Sequence, residues 1–195
     1  MKVTNKEKFI KYLFIYKHLK FIKYETDIKD KELNIIVDAL NIKNNYKRLK
    51  YIINETCDYI DNYYKDSNPC KFKNNKCICH RNLKKDYING CCRKCKYQSN
   101  KGCTTKNIAC KLFYCSQAEL NVLKLNSKDI KILKLLNPIE RYIVSNDYFC
   151  NINKVIFELY FWQFLTIFLI LTQIIIVVIR WNYMYMINLI SIQIN

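Results

Sequence analysis

Nine of the eleven cysteines in this sequence (Cys70, Cys77, Cys79, Cys91, Cys92, Cys95, Cys103, Cys110 and Cys115) fall inside one 46-residue window, with only Cys57 and Cys150 outside it. Such a cluster is a disulfide framework, a set of metal ligands, or a group of buried thiols. Spacing favours metal. Cys77-x-Cys79, Cys92-x2-Cys95 and Cys110-x4-Cys115 are short hooks in which one turn of chain can offer two thiolates to one ion. Tetrahedral Zn²⁺ with four Cys ligands takes such hooks in pairs, at ~2.3 Å per Zn–S bond. Gly90 and Gly102, the two glycines of the chain, both lie beside cysteines, where a chain wrapping an ion needs conformational freedom.

Compartment points the same way. The opening residues do not read as a secretory signal, because Lys8, Lys11 and Lys17 interrupt the apolar run before it reaches h-region length. Disulfide frameworks belong to oxidising compartments, so a reducing cytosol and metal ligation are expected. Four cysteines can also hold an iron–sulfur cluster, although the ferredoxin-type CxxCxxC run is missing.

The stretch CCRKCKYQSNKGCTTKNIACKLFYC resembles an uncharacterised family of Cys-rich proteins from clostridia and related low-GC bacteria, over about Cys57 to Phe149. Locally it is similar to the bacterial zinc- or iron-chelating family of the CxxCxxCC (YkgJ) type. Cys91-Cys92 stand where that family has its doublet. Cys95, Tyr97, Gly102-Cys103 and Cys110-Lys111 with Phe113 match its later part. Here the doublet lies three residues before Cys95 and no CxxC directly precedes it, so Cys70, Cys77 and Cys79 would complete the set from upstream. The resemblance implies zinc or an iron centre and assigns no reaction.

Eight thiolates make two Cys₄ sites, and the expected ligands are Cys70, Cys77, Cys91, Cys92, Cys95, Cys103, Cys110 and Cys115. Cys79 is the spare thiol, and His80 is read as a surface imidazole. Two zinc ions are the expected cofactor, with iron or an iron–sulfur cluster as the alternative. Four thiolates per ion leave no open coordination position, so the metal is structural and the protein is expected not to be an enzyme. No HExxH, P-loop, GxGxxG or GxSxG occurs, and two histidines offer little for general-base chemistry.

Ile, Lys and Asn together form roughly two residues in five, the imprint of AT-rich codons, which discounts part of the formal charge of +17. The charge is still uneven. Residues 1–56 carry +6, residues 57–116 carry +9 and residues 117–195 carry +2. A +9 segment with Tyr87, Tyr97 and Phe113 among its lysines could meet nucleic acid through phosphate contacts and stacking, or anionic lipid headgroups. A metal or redox sensor is a further reading of the cysteines.

The elements that must position this segment are helical. Thr4 and Glu7 form a capping-box pattern ahead of Phe9, Ile10, Leu13 and Phe14, and Phe21 continues the helical spacing. A second helix is expected over about 27–50 and a third over about Tyr51–Tyr64, stopped by Pro69. Past the cysteines, Ser127 is expected to cap a helix with Ile130, Leu133, Leu135 and Leu136 inward. Asn137-Pro138-Ile139-Glu140 is a restart signal, and a last helix begins near Asn153.

From Phe161 to Ile179 there are 19 residues without a charge, ~28 Å of helix against a hydrocarbon core of ~30 Å. Phe161 and Trp162 stand at one end, and Trp181, Tyr183 and Tyr185 at the other, as an aromatic belt would have them. The fold expected is therefore mainly α: a small helical domain with an irregular Cys-rich metal-binding insert and a C-terminal transmembrane helix. Its parts are residues 1–66 (helical), 67–118 (Cys-rich), 119–156 (helical), 157–181 (the span) and 182–195 (a short tail). The expected function is a membrane-anchored, zinc-binding protein, single-pass at the cell membrane with its N-terminal domain in the cytoplasm.

Overall fold

The computed structural model describes residues 1–19, 21–65, 67, 71, 98–99, 102–114, 123–148 and 150–194. The chain is mainly helical and divides into two compact units, Met1–Ile156 and Phe157–Asn195.

The first unit opens with strand β1 (Lys2–Val3), which pairs in parallel with β2 (Glu25–Thr26) in the register Lys2 to Glu25 and Val3 to Thr26. Helix α1 (Lys6–Lys11) lies between them. Its cap is Asn5, whose side chain accepts from Lys8 N at 2.9 Å, one residue later than the expected Thr4. The short α2 (Leu13–Tyr16) follows, and tight turns carry the chain on to Ile22.

The helix expected over 27–50 is two helices. α3 (Lys31–Asn41) is capped by Asp30, and α4 (Asn45–Tyr63) is capped by Asn44, so no boundary falls at residue 50. The break has a physical reason. Asn41 turns its amide onto Tyr24, accepting from Tyr24 N and donating to Tyr24 O at 2.8 Å each, and Asn44 then accepts from Lys47 N. Asn41 thus ties the end of α3 to Tyr24, Ile42 turns extended, and Asn44 caps a new helix. α4 ends at Tyr63, ahead of Pro69, which lies outside the described residues.

Strands β3 (Gln98–Ser99) and β4 (Gly102–Cys103) form an antiparallel pair, and α5 (Ile108–Leu112) follows. The stretch after Ser127 is not the α-helix expected. It consists of two 3₁₀ helices, Ser127–Asp129 capped by Asn126 and Lys131–Leu135. Ile130, Leu133, Leu135 and Leu136 are nonetheless buried, as that reading required. α6 (Pro138–Asn146) starts at the predicted signal, with Asn137 and Glu140 forming a reciprocal capping box and Pro138 in the first turn.

The core of this unit is apolar. Leu13, Leu33, Ile36, Ile52, Ile53, Ile60, Ile108, Leu133, Leu136 and Ile156 are almost wholly excluded from water. α3 packs on α4 and on the second 3₁₀ helix, and α5 packs on both α4 and α6. Burying each such side chain contributes ~1.5–3 kcal/mol.

The last helix, α7 (Ile152–Ile194), is 43 residues long and runs without a break through the segment expected to be a tail. Its cap is Asn151, which accepts from Lys154 N. Among the described residues it is the helix long and apolar enough to cross a membrane, and none of its most apolar stretch is buried.

Candidate metal centre

Of the eight expected ligands, Cys70, Cys77, Cys91, Cys92, Cys95 and Cys115 lie outside the described residues, as do the spare Cys79 and His80. Cys103 and Cys110 lie within them. Cys103 sits on β4, opposite Gln98 in the antiparallel register. Cys110 is in the first turns of α5 and is buried.

What holds this part of the Cys-rich segment against the core is Asn107, which is itself 1% exposed. Its Oδ1 accepts from Cys110 N at 2.8 Å and so caps α5. Its Nδ2 donates to Asp147 O at 2.7 Å and to Cys150 O at 3.0 Å. One buried amide therefore sets the position of Cys110 and ties it to the turn after α6. Each of these carbonyls would otherwise be a polar group short of a partner, which costs ~1–3 kcal/mol when buried. Sequence reading passed over Asn107, although an Asn three residues before Cys110 is a capping pattern it could have used.

Two ion pairs dock the same piece onto α4. Lys106 pairs with Asp58, and Lys111 with Asp61. The Lys111 side chain is almost entirely covered while Asp61 is half-exposed. Lysines 106 and 111 belong to the basic excess of the segment, yet both are engaged with carboxylates of α4. They are part of the joint between segment and core.

No family model, curated protein or solved structure matches this chain. The site must be read from its own residues. Cys103 and Cys110 lie seven residues apart in sequence, one on a strand and one on a helix, each with its backbone held by hydrogen bonds. Soft thiolates on such a frame suit Zn²⁺ or iron and suit magnesium or calcium poorly.

The two cysteines outside the window sit in different surroundings. Cys57, in the middle of α4, is completely buried, and burial pushes its thiol up to about 12 despite the nearby positive charges of Lys111 and Lys106. A thiol that stays protonated is a poor nucleophile. Cys150 is half-buried, and its Sγ donates to Asp147 Oδ1 at 2.7 Å. Burial first, and then that bond, raise its pKa as well.

Beside this frame lies a cleft of about 440 Å³ lined by Leu112, Phe113, Leu125, Ser127, Ser145 and Tyr148. Phe113 and Tyr148 meet edge to face across 5.9 Å, and Lys124 and Asn126 give the same cleft a polar side.

Proposed function

We propose that this protein is a non-catalytic metal-binding protein anchored in a membrane by α7. Its Cys-rich segment holds two zinc ions through Cys70, Cys77, Cys91, Cys92, Cys95, Cys103, Cys110 and Cys115. The N-terminal unit stays on the cytoplasmic side, where reduced thiols are available to metal. The observation that carries the reading is α7: a 43-residue helix whose most apolar stretch is wholly uncovered. Between Glu158 and Arg180 no charge interrupts it, a length that matches the ~30 Å hydrocarbon core. Thr172 meets the same demand by donating its hydroxyl to Leu169 O at 2.8 Å, so one polar group in this apolar run is satisfied within the helix itself.

Support for the metal comes from the nine clustered cysteines, from the resemblance to the CxxCxxCC chelating family, and from the braced frame around Cys110. Zinc bound this way would supply folding energy to the segment rather than reactivity. Cys92→Ser or Cys95→Ser is therefore expected to unfold the central segment, and a variant that melts like wild type shows that its cysteine is not a ligand.

The test is elemental analysis of the full chain, purified anaerobically in detergent under reducing conditions, with an absorption spectrum of the same sample. About two zinc per chain and no visible colour support the proposal. Iron with sulfide and a broad visible band would replace zinc by an iron–sulfur centre. Absence of metal together with paired cysteines would overturn both the site and the cytoplasmic topology.

A further inference from the structure

The segment from Tyr12 to Ile22 has an inner and an outer side that differ sharply. Inside, Leu13, Phe9 and Tyr24 are buried, and the rings of Phe9, Tyr16 and Tyr24 pack on one another. Phe9 stacks on Tyr16 with centroids 5.0 Å apart, and the Tyr24 hydroxyl donates to Tyr16 O at 3.0 Å. Successive turns, Lys17 N to Leu13 O, His18 N to Ile15 O, Leu19 N to Tyr16 O and Ile22 N to Leu19 O, keep the chain compact. Outside, Tyr12, Phe14, Ile15, Leu19, Phe21 and Ile22 are all exposed, Phe14 at 62% and Phe21 at 103%. A scattered exposed leucine needs no account, but six large apolar side chains within eleven residues of a well-anchored segment do.

The formal charge within the segment is of one sign, although Lys23 pairs with Glu25 just beyond it. Residues 8–24 contain five lysines and no acidic residue. Lys11 Nζ lies 5.7 Å from the centroid of the Tyr12 ring, and the half-buried Lys17 feels the carboxylate of Glu140 as well as the positive charges of Arg141 and Arg48. Exposed aromatic and aliphatic side chains ringed by lysines are what an anionic lipid surface takes up, the apolar groups entering the acyl boundary and the cations meeting phosphates. Nucleic acid would use the lysines and the rings but would leave Ile15, Leu19 and Ile22 in water.

We propose that Tyr12–Ile22, with Lys8, Lys11 and Lys17, is a peripheral docking surface for an anionic lipid bilayer, separate from the α7 anchor. The choice of a bilayer as occupant rests on the membrane reading above, since a tethered chain meets lipid at high effective concentration. The exposed face itself does not depend on that reading.

The test uses the full chain carrying Trp162→Phe and Trp181→Phe, so that Phe21→Trp provides the only indole. It is reconstituted with vesicles of phosphatidylcholine alone, and with vesicles in which about a third of the lipid is phosphatidylserine. A blue-shifted emission, quenched by bromine-labelled acyl chains in the anionic vesicles and reversed by about 0.5 M salt, supports the surface. Lys8→Ala with Lys11→Ala, both exposed positions, is expected to lower the docked-to-undocked ratio of the indole roughly thirtyfold. Water-like emission in both vesicle types overturns the proposal, and so does a shift of equal size in both. Quenching by a single-stranded polynucleotide with no response to anionic vesicles overturns it in favour of nucleic acid. Failure to float with neutral vesicles sinks the α7 anchor alone. Capture by anionic vesicles with a buried indole would still support the surface in that case.

Discussion

Cys57 and Asn107 show how differently two buried residues next to the same ion pairs behave. Cys57 holds its proton because burial disfavours the thiolate, pushing the thiol up to about 12 from an ordinary value near 9. The unfolded chain loses that proton near pH 9 and the folded chain only near 12. Stability from this group is therefore full below pH 9 and falls as pH rises from 9 towards 12. Urea melts across that range should show the decline in wild type and a smaller one in Cys57→Ala, which has its own cavity cost at neutral pH. In the native protein at pH 8.5, iodoacetamide should leave Cys57 unmodified, as read by mass spectrometry of the peptide. Asn107 acts through three hydrogen bonds instead. Asn107→Ala is expected to cost about 3 kcal/mol, the sum of a lost cap and two unsatisfied carbonyls. Asn107→Asp keeps the cap on Cys110 N but loses both donors, so it should melt between alanine and wild type. If Asn107→Asp melts like wild type, the bracket to Asp147 and Cys150 contributes nothing measurable.

Among the elements, α6 and α7 were the most legible in the sequence. Asn137, Pro138 and Glu140 specify a helix start with partners no more than three residues apart, so tertiary context had little to change. Asn137→Ala should lower stability by ~1 kcal/mol, read as a shift in the melting temperature. α7 was legible because an unbroken apolar run is a property of composition. Leu171→Arg places a charge near the middle of that run and should disfavour insertion by ~3 kcal/mol, releasing part of the protein from membranes on alkaline extraction. Helices α3 and α4 were misread as to their boundaries. Their apolar spacing continues across Ile42, and only the bonds between Asn41 and Tyr24 reveal the break. The Ser127 stretch was misread as to its type, because apolar residues at three- and four-residue spacing satisfy a 3₁₀ turn as well as an α-helix.

At the scale of the whole molecule, apolar burial holds the helical core of the first unit, and metal is proposed to hold the Cys-rich segment beyond its buried Ile108 and Ala109. The core is made by Leu, Ile and aromatic side chains, with Cys57 enclosed in it and Cys110 at its edge. Stripping metal from the full chain with a chelator is therefore expected to leave most of the helical circular dichroism. The thiols of the eight proposed ligands should become reactive to a chromogenic disulfide reagent at the same time. A collapse of the helical signal in step with metal loss would show instead that the core depends on the ions.

The candidate site was legible as a list of cysteines and illegible as a joint. Clustering, hooks, caps and the apolar run are local properties, determined by residues near one another along the chain, and the sequence by itself determined them. The bracket of Asn107 onto residues 147 and 150, the pairing of Lys106 and Lys111 with α4, the burial of Cys57 and the outward aromatic face of Tyr12–Ile22 were decided only by the tertiary structure. Each depends on which side of an element the rest of the chain covers. Long-range hydrogen bonds and ion pairs carry no imprint in the spacing of the residues that provide them.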